Sequence, residues 1–184
     1  MIIFTGVAGS GKSVQGRRLA DELALPWVST GEFLRMLISG EKRKEMLEGK
    51  LLDDKEIIGL IRKIFTVVDT NQEFILDGFP RTLSQADWLL SQVKHGQLSV
   101  SGVIHLKASE QIVMDRLLSR GRQDDNKEAI VARFHEYENQ IKPILEHFKT
   151  DGVPVYDIDG GRDVEEVHQD ILKALAKEIK PAHV

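Results

Sequence analysis

The 184-residue chain contains no cysteine. That removes disulfides and thiolate chemistry, excludes cysteine-ligated zinc, and suits a reducing compartment. No apolar run approaches the about 20 residues that a membrane-spanning helix needs. The opening Met1-Ile-Ile-Phe4 has neither a charged leader nor the length of a signal h-region. Positive charge is also scarce: 25 Lys and Arg stand against 29 Asp and Glu, a net charge of −4 that argues against a general nucleic-acid binder. There is no internal repeat, no low-complexity tract and no linker separating domains. The histidines (His95, His105, His135, His147, His168 and His183) show no metal-ligand pairing, and His147 and His168 read as ordinary helix residues. Trp27 and Trp88 read as packing residues. What remains is an ordinary globular mix, 41% hydrophobic and 29% charged, long enough to bury a sizeable core.

The pattern that is present alternates strand and helix. Apolar runs predict strands at 1–6, 26–28, 73–77, 102–107 and 153–158. Helices are predicted at about 12–24, 31–39, 54–65, from 83, and at about 109–119, 127–149 and 164–179. Continuous apolar strands between helices imply an α/β fold, a five-stranded parallel sheet covered on both faces. Asp163 with Glu166 reads as a capping box, and Asp151-Gly152 and Asp159-Gly-Gly161 as turns bounding the last strand. Two stretches escape the core pattern. Residues 39–53 are strongly charged with few apolar anchors, and Lys42-Arg43-Lys44, balanced by Glu41 and Glu45, reads as a solvated helix face. Residues 120–127 are wholly polar. Excursions of this kind from a rigid scaffold are surface turns, or the places where lids and binding loops sit.

Two segments carry chemistry. Gly6-Val-Ala-Gly-Ser-Gly-Lys-Ser13 follows the first strand and opens a helix. It fits the phosphate loop Gly-x-x-x-x-Gly-Lys-Ser, in which backbone N–H groups and the helix N-terminus cradle phosphate. In that loop Lys12 reaches the β- and γ-phosphates and the Ser13 hydroxyl ligates Mg²⁺. Alone, such a loop means only that a nucleotide binds. The second segment, Phe74-Ile-Leu-Asp-Gly-Phe-Pro-Arg-Thr-Leu-Ser-Gln85, ends a buried strand and delivers Asp77 and Arg81 to the carboxyl edge of the sheet, where open α/β folds bind ligands. Arg116, Arg120, Arg122 and Arg133 fall within 18 residues, and Arg35 and Arg81 stand beside the motifs. An acidic chain that gathers guanidinium groups at a few points is suited to a small polyanion. A GTP switch is excluded: Asn126-Lys-Glu-Ala129 lacks the guanine-reading acid, and Asp157-x-x-Gly160 comes in the wrong order.

With Thr30-Gly-Glu-Phe-Leu-Arg35, these segments make the chain resemble the adenylate kinase family of nucleoside monophosphate kinases. The resemblance runs from Ile2 to about Val167, and Asp77-Gly-Phe-Pro-Arg81 is its most specific motif. It implies a P-loop NTPase-type doubly wound sandwich. The donor, ATP, would meet Gly9, Ser10, Gly11, Lys12, Ser13 and Val14, with Arg116 toward the adenine and the backbone of Arg162 at the base. The acceptor, AMP, would meet Thr30 and Arg35, the backbone near Lys50, Leu51 and Leu52, and Gly78, Phe79, Arg81 and Gln85. Thr30 and Gln85 match the residues that contact adenine in the family, where pyrimidine-preferring relatives carry alanine and asparagine. Asp77 resembles the carboxylate that holds water on Mg²⁺. Arg120, Arg122 and Arg133 match lid arginines on the transferring phosphates, oriented by Asp124 and Asp125. Lys12, Asp77, Arg81, Arg120, Arg122 and Arg133 are thus the expected catalytic set, with Ser13 and Asp77 on the metal side.

The chain departs from the family in places. Val7 and Ala8 stand where many relatives have prolines, Ser13 replaces glycine, and Val14 replaces threonine and is expected to pack. Ile141 replaces a threonine before the helix-interrupting Pro143. The acceptor-binding insertion is short, and the lid is a minimal loop without a zinc knuckle. The expectation is one domain over 1–184, with an acceptor-binding insertion at about 29–53 and a short lid at about 119–128. Its activity would be reversible, Mg²⁺-dependent phosphoryl transfer from ATP to AMP, giving two ADP. The alternatives are a pyrimidine or broad-specificity monophosphate kinase, or a nucleotide-binding regulatory protein without turnover. Expected partners are ATP, AMP and ADP alone, handled by a cytoplasmic monomer, with Mg²⁺ but no zinc, nucleic acid or membrane.

Overall fold

The structure, a computed structural model, describes residues 1–48, 52–123 and 125–176. Strand β1 (Ile2–Gly6) is buried at every residue, as a central strand covered on both faces must be. Beside it lie β3 (Ile75–Asp77) on one side and β4 (Gly102–Lys107) on the other, with β2 (Trp27–Ser29) and β5 (Val155–Asp159) at the edges. The order is β2-β3-β1-β4-β5, all parallel, and Ile2 sits opposite both Ile75 and Gly102.

Alternate residues of each strand feed opposite layers. Ile3, Leu76 and Val103 pack with Ile57 and Ile61 of α4 (Asp54–Phe65), Leu89 and Leu90 of α5 (Leu83–Lys94), and Ile144 and Phe148 of α7 (Lys127–Thr150). Ile2, Phe4, Ile75, Ile104 and Leu106 pack with Leu19 of α1 (Lys12–Leu23) and with Ile171 and Leu175 of α8 (Val164–Leu175). Each fully buried aliphatic side chain of this kind contributes about 1.5–3 kcal/mol. Trp88 sits in the first layer between Phe65 and Phe79, as a packing residue should.

Several boundaries differ from the sequence reading. Strand β3 begins at Ile75 rather than 73, although Phe74 O already accepts the Ile2 N–H at 2.9 Å. Strand β5 begins at Val155 rather than 153, because Pro154 has no N–H and enters the ladder only through its carbonyl, which accepts from Val103 N. The charged stretch after α2 (Thr30–Leu37) forms α3 (Gly40–Leu47), which has no buried residue. Its Lys42 bonds Glu56 of α4, not Glu45, and Arg43 donates to Arg35 O at 3.0 Å, so polar contacts hold it alongside the one apolar anchor Met46, which packs half-buried against the core. Pro143 does not interrupt α7, which runs 24 residues straight through it. Asp163 caps α8 through Glu165 N at 2.8 Å rather than through a capping box with Glu166. Residues 177–179 of the predicted last helix lie outside the described residues.

His168 lies in helix α8, as read from the sequence, and is fully buried there. Its Nδ1 lies 3.2 Å from Gln15 Oε1 and its Nε2 2.7 Å from Glu22 Oε2, while Gln15 Nε2 donates to Val164 O at 2.7 Å. These bonds pin α1, the helix behind the glycine loop, to the start of α8.

Candidate active site

The carboxyl ends of β1, β2 and β3, with the segment after β5, open into one cavity of about 420 Å³. The glycine loop forms its floor. Lys12, at the start of α1, lies in the cavity wall and donates to Val7 O at 3.2 Å. Burial lowers its pKa to about 8; Asp77 opposes that shift, and Arg81, Arg120 and Arg133 add to it. Four cations around one hollow, set against the carboxylates of Asp77 and Asp125, suit a polyanion.

Asp77 ends β3 at 1% exposure, and Ser13 Oγ donates to its Oδ2 at 2.6 Å. Asp77 Oδ1 is buried and has no hydrogen-bond partner among the described residues. A buried, half-satisfied carboxylate beside a hydroxyl, both at a phosphate cradle, is a donor set of hard oxygens. It fits Mg²⁺, which takes one or two protein oxygens and keeps several waters.

Gly160, read from the sequence only as a turn, proves structural to the site. Its N–H donates to Lys107 O at 2.8 Å, and a Cβ there would fall 2.5 Å from Ser10 O. Only glycine lets the loop after β5 lie against the glycine loop. Arg116 staples the two together: Nη1 donates to Gly160 O at 2.7 Å and Gly9 O at 3.4 Å, and Nη2 to Gly161 O and Arg162 O, both at 3.3 Å. Both its Nη groups are spent on carbonyls, and the residue lines the cavity. The Arg162 side chain turns outward to Asp170 and Asp159, leaving its backbone at the cavity. Val14 does not pack as expected. It is 57% exposed on the cavity-facing side of α1, because the buried face of that helix is taken by Gln15, Gly16, Leu19 and Ala20.

The opposite wall comes from α2, α4 and the β3–α5 segment. Thr30 begins α2 at 1% exposure, and its Oγ1 has no partner among the described residues. Arg81 Nε donates to Gly78 O at 2.8 Å, and a Cβ on Gly78 (φ 82°) would press to 3.1 Å from Arg81 Nη2. Arg81 faces the open cleft, yet the surrounding protein, then Arg35 and Arg133, hold its pKa below the ordinary guanidinium value against the pull of Asp77. Phe79 does not line the cavity; its ring is buried against Trp88, 6.0 Å between centroids. Gln85 is buried, with Oε1 accepting the Arg81 N–H at 2.8 Å. Leu52, Met46 and Ile57 give the wall its apolar part. Lys50 and Leu51 lie outside the described residues.

The third wall is the α6–α7 corner. Helix α6 (Glu110–Arg120) ends at Gly121, and Asn126 caps α7. Between them Asp125, its side chain 0% exposed, takes a fork from Arg120 at 2.9 and 2.8 Å, the Arg122 N–H at 3.1 Å and Arg133 Nη2 at 3.4 Å. Burial pushes its carboxyl up, but these donors outweigh it and leave the group below the usual carboxylate range. Asp124 lies outside the described residues. Sequence reasoning missed Glu32, which holds Arg35 at 3.0 Å and Arg122 at 3.5 Å and so links the second and third walls. Its only sequence signal is a place three residues before Arg35, a spacing any helix surface shows.

A family model described as adenylate kinase matches residues 4–153 of the chain. Among curated proteins, the chain is 34% identical over 182 residues to an adenylate kinase of Corynebacterium glutamicum, covering 96% of this chain and 99% of that protein. It is 36% identical to adenylate kinase 1 of Synechocystis sp., covering 94% and 95%, and 29% identical to an adenylate kinase of Archaeoglobus fulgidus, covering 96% and 98%.

Proposed function

Because the chain belongs to the adenylate kinase family, and is therefore a phosphotransferase, we propose that the cavity takes ATP on the glycine loop and AMP on the α2–α4 wall and passes the γ-phosphoryl group between them. The observation that carries this reading is the convergence of two arginine groups, Arg35 with Arg81 and Arg120 with Arg133, on the one hollow that Lys12 and Asp77 enter. A binder of one nucleotide has no use for the second group. Neither the pyrimidine-kinase reading nor the regulatory one gains support from the relatives.

Phosphoryl transfer asks the protein for positioning and charge neutralisation more than for covalent chemistry. An AMP phosphate oxygen is already an anionic nucleophile, so no side chain need act as base. Lys12 and the loop N–H groups hold the β- and γ-phosphates, and Arg35 and Arg81 hold the acceptor phosphate in line. Arg120, Arg122 and Arg133 meet the charge that spreads over the transferring group. Water must be excluded so that ATP is not hydrolysed, and the α6–α7 corner together with α2–α3 would supply the cover. Ser13 and Asp77 would hold Mg²⁺, directly or through water; the ion supplies neutralisation of the phosphate oxygens. We read the chain as one domain that works as a cytoplasmic monomer with ATP, AMP and ADP, without zinc or nucleic acid. Among the described residues no helix is long and apolar enough to cross a membrane.

The test is a panel of nucleoside monophosphates with Mg-ATP, followed by coupled ADP formation. AMP is expected to give the highest kcat/KM. Turnover with CMP or UMP above that with AMP would overturn the acceptor assignment, and no turnover with any acceptor would overturn the enzyme itself.

A further inference from the structure

The geometry points to Asp54 as the residue that sets base specificity, by locking the Gln85 amide in one orientation; the inference rests on the assignment of the α2–α4 wall to the acceptor base. Asp54 is the first residue of α4, and its Oδ1 accepts two hydrogen bonds, from Gln85 Nε2 at 2.7 Å and from Thr82 Oγ1 at 2.9 Å. At the other end of the same amide, Gln85 Oε1 accepts the backbone N–H of Arg81 at 2.8 Å. A backbone N–H can only donate and a carboxylate can only accept. Both neighbours therefore demand the same orientation. Turning the amide over would set Oε1 against Asp54 Oδ1 and the NH₂ against the Arg81 N–H, replacing two bonds with two repulsive contacts. Gln85 is 2% exposed, so water cannot relieve either one.

What the lock leaves over is one N–H on Nε2 and one lone pair on Oε1, in fixed order, on a residue that lines the cavity. Adenine offers an exocyclic amino donor beside a ring-nitrogen acceptor. A 6-oxo purine offers an acceptor where the amino group was, with a protonated N1 beside it. A free glutamine reads either base by turning over, whereas a locked one reads one and repels the other. Thr30 cannot make the distinction, since a hydroxyl donates or accepts as required. The discrimination therefore lies with Gln85, and its sign is set by Asp54 on α4 together with the Arg81 N–H.

The test uses the whole enzyme, ATP and three acceptors that differ only at purine position 6: AMP, the unsubstituted purine ribonucleotide, and inosine monophosphate. A locked amide places the unsubstituted compound between the other two, with inosine monophosphate about tenfold or more below it, because a repulsive contact is worse than a missing bond. An amide that turns over makes the unsubstituted compound the poorest of the three, and that order overturns the proposal. In Asp54→Asn the new amide can rotate to suit either orientation of Gln85, so of the two contacts that fix the order only the Arg81 N–H remains. The AMP-to-inosine-monophosphate ratio of kcat/KM should then shrink about tenfold or more, through the KM of the acceptor and not that of ATP. Thr82→Val, which removes the other bond to the same oxygen, should leave the ratio within about twofold. An unchanged ratio in folded Asp54→Asn overturns the proposal; if that variant does not fold, the wild-type order decides. Should inosine monophosphate lead and the unsubstituted compound remain in the middle, the lock stands and the AMP assignment falls.

Discussion

The floor of the cavity and its two arginine-bearing walls are built on opposite terms. The floor hangs from strands that are buried at every residue: Asp77 ends β3, the glycine loop follows β1, and Gln15, His168 and Arg116 tie the loop and α1 to neighbouring segments. The walls are held by charge. Helix α3 has no fully buried residue, and Arg35, Arg120, Arg122 and Arg133 are gathered on Glu32 and Asp125. The two parts do different work. Groups that must hold their place through the reaction are fixed by burial and hydrogen bonds. On the proposed reading, the groups that take up and release phosphate rest on carboxylates, whose negative charge phosphate can replace.

If that division holds, damage to the floor should cost turnover and loss of the wall carboxylates should alter affinity or stability. Lys12→Met is expected to have the largest effect, roughly 10²–10³-fold in kcat, since a preorganised cation aimed at the transferring phosphates is removed. A steady-state assay with both substrates saturating reads it, and a change confined to KM would erase the distinction between floor and wall.

Asp125→Asn comes next and reads as stability. Breaking a buried pair by removing one partner is worth about 3–5 kcal/mol, measured as the gap in denaturant or thermal unfolding against wild type. The Asp125 carboxyl is held below its ordinary range, so its contribution is fully present above the unfolded-state pKa and is lost as pH falls through the folded value. The gap should be widest near neutral pH and close progressively below about pH 4. A gap that does not change with pH would mean that Asp125 acts by packing rather than by charge.

How much of this was legible in the sequence follows the same line. The floor was readable because its chemistry is local: eight consecutive residues spell the glycine loop, and Asp77 sits at the end of an apolar run. The strand–helix alternation and the two-sided sheet were readable for the same reason, since period and burial are properties of short windows. The walls were less so. Glu32, Asp54 and Gly160 act on partners brought near by folding; Asp54 and Gln85 are 31 positions apart. The partners of His168 were not readable, because nothing near it in sequence announces Gln15 and Glu22. Val14 was expected to pack because an apolar side chain early in a helix usually does, yet α1 turns that position toward the cleft. Phe79 was placed in the pocket by its motif and lies in the core by its packing.

A smaller effect tests the floor at its edge. Ser13→Ala removes the hydroxyl that bonds Asp77 at 2.6 Å, and kcat should fall about tenfold, the worth of one charge-assisted contact. Val14→Thr, on a position open to the cavity, should restore part of that loss in the double variant. Wild-type behaviour of Ser13→Ala across a Mg²⁺ titration would show that Lys12 and the backbone suffice.

The smallest expected effect belongs to the walls. Glu32 holds Arg35 and Arg122 where the acceptor phosphate should go, so it competes with substrate. Glu32→Gln should lower the KM for AMP by about two- to fivefold, with little change in kcat, in keeping with an exposed pair worth about 0.2–1 kcal/mol. A rise in KM would make Glu32 an organiser of the arginines rather than their temporary partner.

The central claim is that floor and walls form one site for two nucleotides at once. It is tested most directly by thermal unfolding with a compound in which ATP and AMP are joined through their phosphates, set against ATP alone at equal concentration. Occupying both halves should bind the linked compound more tightly and raise Tm further, since stabilisation grows as RT ln(1 + [L]/Kd) and reaches about 2.7 kcal/mol at a hundredfold excess over Kd. A clearly larger shift for the linked compound than for ATP is the expected result. Equal shifts across the concentration range would mean that the second half of the cavity does not hold a nucleotide, and would contradict the two-nucleotide site.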